Sequence, residues 1–76
     1  MKYDHRVTAQ ILGILRVQRG MSQDELATKA NMARSHYAMI ESGNKSPNVD
    51  TLWRIATALD LRLSDLFLLV ESQLLH

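Results

Sequence analysis

The stretch SQDELATKANMARSHYAMIESG, residues 22–43, sets two short helical patterns end to end with almost nothing between them. Ser22 followed three residues later by Glu25 is a capping box, in which the hydroxyl takes the N3 amide and the glutamate reaches back to the N-cap amide. Leu26, Ala27 and Ala30 form an inward face, so this second helix stops near Ala30 or Asn31. Asparagine tolerates a left-handed backbone position better than most non-glycine residues, so Asn31 can end one helix and redirect the chain, with Met32 plugging the corner. A third helix at about 33–42 buries Tyr37 and Ile40 and closes on Gly43. It leaves Arg34, Ser35, His36 and Met39 facing outward.

Helical spacing continues on both sides. Val7, Ile11, Ile14 and Leu15 fall on one stripe of a first helix that ends before Gly20. Asn48 caps a fourth helix whose Val49, Leu52, Ile55, Ala56 and Leu59 share a face, and Ser64 caps a fifth at about 64–73. No period-two alternation appears, so the fold class is all-α: a compact five-helix domain spanning 1–76 as a single unit.

Composition narrows the function. Hydrophobic residues make up 46% and charged residues 22%, which is globular and excludes disorder. There is no cysteine, so no disulfide framework, and the longest apolar run is 66–70, far short of the ~20 residues that a membrane span needs. A soluble cytoplasmic protein is expected, without membrane attachment. Nine Lys and Arg oppose eight Asp and Glu, leaving a net charge of +1. Bulk attraction to nucleic acid is thereby weak; a DNA binder of this composition needs few, well-placed contacts, doubled by dimerisation.

Two helices joined by a three- or four-residue turn, with the second facing outward, make a helix-turn-helix. Such a unit can lay its second helix in the major groove, where side chains at i, i+1 and i+5 (here Arg34, Ser35 and Met39) reach base edges. At this point the sequence resembles the Cro/phage-repressor type of helix-turn-helix domain, the XRE family. The matching residues are Leu15-Arg16, Gly20-Met21-Ser22-Gln23, Glu25-Leu26-Ala27, Ile40-Glu41-Ser42-Gly43, Pro47, Thr51-Leu52, Arg54-Ile55-Ala56, Ala58-Leu59 and 63–67. They run unbroken through about 11–67. The resemblance implies that Gln23 bonds a phosphate and that Asn44 and Lys45 grip the sugar-phosphate chain. It also implies that Arg34, Ser35 and Met39 select bases, that His36 contacts backbone or base, and that Arg16 and Glu41 clamp helix one to helix three. The sequence departs from the pattern at Ala33, where an N-cap Ser or Thr is usual, and at Asn31, where glycine is usual.

The fifth helix has more apolar surface than one core needs. Leu63, Leu66, Phe67, Val70 and Leu74 form a stripe, and Leu68, Leu69 and Leu75 extend well beyond it. A twofold dimer buries such an excess economically, because one patch serves both chains. Trp53, off the inward face of helix four, joins Phe67, Leu68 and Leu69 as the expected interface. No carboxylate–histidine spacing builds a metal set around His5, His36 or His76, and no nucleophile–base pair appears, so neither cofactor, small-molecule substrate nor catalysis is expected. The expected function is a transcription regulator that binds double-stranded DNA as a homodimer on a palindromic operator. The alternative is an antitoxin-like interaction module that keeps the fold and binds a partner such as a toxin through helix five.

Overall fold

A computed structural model describes residues 1–75; His76 lies outside the described residues. Among them are five helices: α1 (His5–Gln18), α2 (Gln23–Lys29), α3 (Arg34–Glu41), α4 (Val49–Ala58) and α5 (Leu63–Leu74). Their packing closes a ring, α1 on α3, α3 on α2, α2 on α4, α4 on α5 and α5 back on α1. Leu12, Leu26, Tyr37, Ile40, Ile55, Leu59 and Leu66 fill its centre, each almost wholly withdrawn from solvent. None of the helices is long and apolar enough to cross a membrane.

All four corners use one device. Each helix from α1 to α4 ends on a left-handed residue: Gly20 (φ 67°), Asn31 (φ 57°), Gly43 (φ 85°) and Asp60 (φ 59°). In each case the next amide reaches back five residues, as Met21 N–H to Arg16 C=O (3.1 Å) and Leu61 N–H to Ala56 C=O (2.9 Å). This is the Schellman closure, which satisfies carbonyls that the helix end would leave orphaned. Met21, Met32 and Leu61, which follow three of these residues, pack on the core and lock the turn. Asn31 and Met32 take the places expected of them.

Two expectations about helix faces and one about a helix cap need correction. Of the stripe Val7, Ile11, Ile14 and Leu15, Leu15 is buried and Ile11 packs against the core, but Ile14 is 56% exposed; the buried face of α1 is Thr8, Ala9, Leu12 and Leu15. Thr8 can go inside because its hydroxyl bonds that of Tyr3 at 2.8 Å. Val49 is likewise 63% exposed, and Thr51 takes the inward position beside Leu52. The start of α5 is set not by Ser64, which lies inside the helix, but by Arg62, whose N–H donates to the Asp65 carboxylate (3.0 Å). Arginine offers no acceptor, so only half of a capping box forms there. The Ser22–Glu25 box of α2 is complete, with both bonds at 3.0 Å.

Candidate nucleic-acid interface

The outward face of α3 depends on what holds its inward face. Tyr37 and Ile40 are buried, and Glu41, one turn after Tyr37, carries a carboxylate on which three helices converge. From α1, Arg16 grips it with both arms, Nε to Oε1 at 2.7 Å and Nη2 to Oε2 at 3.2 Å. From α2, the Gln23 amide donates to Oε2 at 2.6 Å, and the Tyr37 hydroxyl donates to Oε1 at 2.8 Å. Arg16 also bonds the Met21 carbonyl at 2.7 Å, tying the α1–α2 corner to the same hub. Burial alone would raise the Glu41 carboxyl; the bonds from Arg16, Gln23 and Tyr37 outweigh it and hold the group below the ordinary glutamate value. Burial, then Glu41 itself, push the Tyr37 hydroxyl up, so it stays a donor.

With that face fixed, Ser35 and Met39 are exposed on the opposite side, Arg34 is exposed at the first turn, and His36 is half-buried. Ala38, not singled out by sequence, is half-exposed one turn after Arg34. It leaves a shallow place in the same surface, a position that helical spacing from Arg34 and Ser35 marks. The first turn of α3 has no side-chain cap, as the alanine at position 33 leads one to expect.

Beyond α3, the Met39 carbonyl gathers the chain: it accepts from Asn44 N–H (3.0 Å), Lys45 N–H (3.1 Å) and the Ser42 hydroxyl (3.0 Å). The amides of the Asn44–Lys45 loop are therefore committed, and only its exposed side chains can meet a ligand. Across from it, His5 Nε2–H donates to the Gly43 carbonyl at 3.0 Å, fastening the loop to the start of α1. Gln23 lies apart from this loop, at the start of α2, with one amide hydrogen given to Glu41 and the acidic Asp24 and Glu25 beside it.

The four residues expected at a dimer interface do not share one surface. Trp53, 61% exposed, and Phe67 line a groove between α4 and α5 together with Leu61 and Leu63. Phe67 is partly committed to its own chain, packing on the core and meeting Tyr3 edge-on (centroids 6.1 Å, 78°). Leu69 instead lines a groove towards α1, beside Ile14. Leu68 stands 66% exposed.

Known proteins are similar to this chain in sequence and fold. The Helix-turn-helix family model HTH_3 matches residues 12–66. An uncharacterised HTH-type transcriptional regulator of Archaeoglobus fulgidus is 32% identical over 59 residues, which are 78% of this chain and 84% of that protein. The immunity repressor of Bacillus phage phi105 is 38% identical over 55 residues, 72% of this chain but only 38% of the repressor's length. Among solved structures, the restriction–modification controller C.AhdI of Aeromonas hydrophila superposes with a TM-score of 0.81 at 33% identity, over 84% of this chain and 97% of the controller. These relatives are regulators rather than enzymes, and the chain belongs with them to the XRE/Cro-type helix-turn-helix family of DNA-binding transcriptional regulators.

Proposed function

We propose that the chain is a sequence-specific regulator acting as a homodimer on a palindromic operator, with α3 of each subunit in a major groove. The observation that carries this reading is the two-sidedness of α3. Its inward face is fixed through Tyr37, Ile40 and Glu41, while Ser35 and Met39 stand free on the other and Arg34 is exposed at the first turn. A helix fits the groove, about 12 Å wide, and the guanidinium fork of Arg34 matches the O6 and N7 acceptors of guanine. Ser35 bonds base or phosphate, His36 reaches the groove edge, and Met39 packs on a thymine methyl. Gln23, through its second amide hydrogen, and the Asn44 and Lys45 side chains hold phosphates and set register. The twofold axis passes beside the α4–α5 groove, and the half-sites lie about 34–36 Å apart on one face of the DNA. One domain covers residues 1–76, it works in the cytoplasm, and it represses by occupying a promoter.

Selection of bound fragments from a random DNA pool tests the reading. A palindromic consensus is expected; no enrichment would favour the interaction module. Two substitutions sort the contacts. Arg34→Ala should relax preference at one operator position and cost about 1–3 kcal/mol of operator affinity. Equal weakening on operator and random DNA would remove Arg34 from base reading. Lys45→Ala should weaken all sequences alike and flatten the dependence of log K on log salt by roughly one unit. An unaltered slope would take Lys45 off the phosphate.

A further inference from the structure

The corner between α2 and α3 has a support from outside the helix-turn-helix. Asn31, left-handed at φ 57°, donates its N–H to Thr28 C=O (3.0 Å), and Met32 donates to Ala27 C=O (2.9 Å). Both bonds fasten the end of α2. Neither fastens the beginning of α3, where Ala33 supplies no side-chain acceptor for the first-turn amides next to Arg34 and Ser35. The left-handed turn directs the Asn31 carbonyl out of the α2 ladder. Its partner lies 23 residues later: Arg54 Nη1, on α4, donates to it at 3.0 Å. Among the described residues this is the one side-chain hydrogen bond that reaches 30–33.

The rest of Arg54 fits that task. Asp50, one turn earlier on α4, stands 3.5 Å from Nε, near enough to attract the charge. Nε itself is buried and makes no hydrogen bond. Covered by the protein and beside Asp50, that atom anchors the arginine on α4. The side chain is bent towards the corner, where its outer arm meets the carbonyl. Lys29, Ala30, Asn31, Trp53, Arg54 and Thr57 line the shallow cleft in which this occurs.

We propose that Arg54 is a positioning residue for DNA reading: by holding the Asn31 carbonyl it fixes the angle at which the uncapped first turn of α3, with Arg34 and Ser35, leaves α2. The proposal rests on the reading of α3 as the helix that enters the groove. Arg54 touches no base in this scheme. It acts through the corner, and α4 becomes a strut between the recognition helix and the α4–α5 surface.

The test joins two measurements on the full chain and its Arg54→Met variant, which keeps an apolar stem and loses every donor. Amide hydrogen exchange should quicken at Met32 and Tyr37, the hydrogen-bonded amides on either side of the corner, while the amides of Ile55–Leu59 keep their protection. Operator binding should weaken roughly tenfold, as for loss of one charge-assisted bond, with an unchanged salt slope. Arg54→Lys, which keeps a charge and one reachable donor, should recover part of the loss. Unaltered exchange at the corner would overturn the proposal. So would a salt slope flattened by about one unit, which would make Arg54 a phosphate contact instead. If the unmodified protein bound DNA without sequence preference, the groove reading would fail by itself, and the exchange result would still decide whether Arg54 holds the corner.

Discussion

Glu41→Gln should lower the stability of the free protein by about 2–3 kcal/mol, somewhat under the 3–5 kcal/mol typical of a fully buried pair broken on one side. The discount reflects geometry. The Arg16 and Glu41 side chains keep 17% and 12% of their solvent exposure, so water still screens part of the charge. Glutamine can accept from Gln23 or Tyr37, but it cannot answer the two arms of Arg16, and that guanidinium is left poorly paired among three helices. For a domain of this size the loss corresponds to a fall of roughly 10–20 °C in Tm, readable by circular dichroism. A double variant, Arg16→Met with Glu41→Leu, should recover only part of it, because it removes the unpaired charge but leaves the Tyr37 hydroxyl and the Met21 carbonyl without partners. A Glu41→Gln protein that melts with the unmodified chain would show that the cluster specifies geometry without stabilising it.

The same carboxylate makes a signed prediction about acid. Its pKa is lowered in the folded protein, so the unfolded chain binds the proton more tightly, and the contribution of Glu41 is fully present above its unfolded value near 4.5. It disappears as the pH falls through the lower, folded value. Acid titration of the unmodified protein should therefore show a loss of stability below about pH 4.5 that is smaller in Glu41→Gln, which has no proton to take up there. Because Arg16 loses its charged partner on protonation of Glu41, the orientation of α3 should soften over the same range.

What the sequence reveals and conceals follows from the range of each interaction. Caps and corners are local, and Ser22–Glu25 and Asn31–Met32 can be read directly. Asp60–Leu61 repeats the pattern of Asn31–Met32, a polar left-handed residue followed by an apolar plug, and was legible on the same ground. The face of α1 was not. Counting only apolar residues skips Thr8, which is buried because Tyr3 satisfies its hydroxyl, and the stripe then rotates so that Ile14 replaces Leu12. Among site residues, the pairing of Arg16 with Glu41 follows from the family resemblance, and their opposite charges agree with it. The share of Gln23 in that cluster depends on a contact 18 residues apart, and that of Arg54 in the corner on one 23 residues apart. Neither has a periodic signature. Net charge could not mark the interface either, since α3 offers one arginine and the loop one lysine in a chain of net charge +1.

Trp53→Ala should turn the protein monomeric and leave its fold intact. The indole is 61% exposed in the single chain, so its removal takes little from the core, and melting at low concentration should barely move. At a twofold interface the same side chain would be a central anchor, since large aromatic residues carry a disproportionate share of binding energy, typically 2 kcal/mol or more each. Phe67 is a poorer probe, because its contacts with Tyr3 and the core would make loss of folding and loss of pairing look alike. Two linked half-site contacts gain about 10²- to 10⁴-fold over one, so the monomer should lose affinity for a complete operator on that scale while its weak binding to an isolated half-site persists. Sedimentation velocity and operator titration of one preparation read both effects. A Trp53→Ala protein that remains a dimer would shift the twofold axis away from the α4–α5 groove. Leu69→Asp would then locate it: that side chain lines the groove beside Ile14 on α1, the other exposed apolar surface that α5 borders, and dissociation by this variant alone would place the partner there.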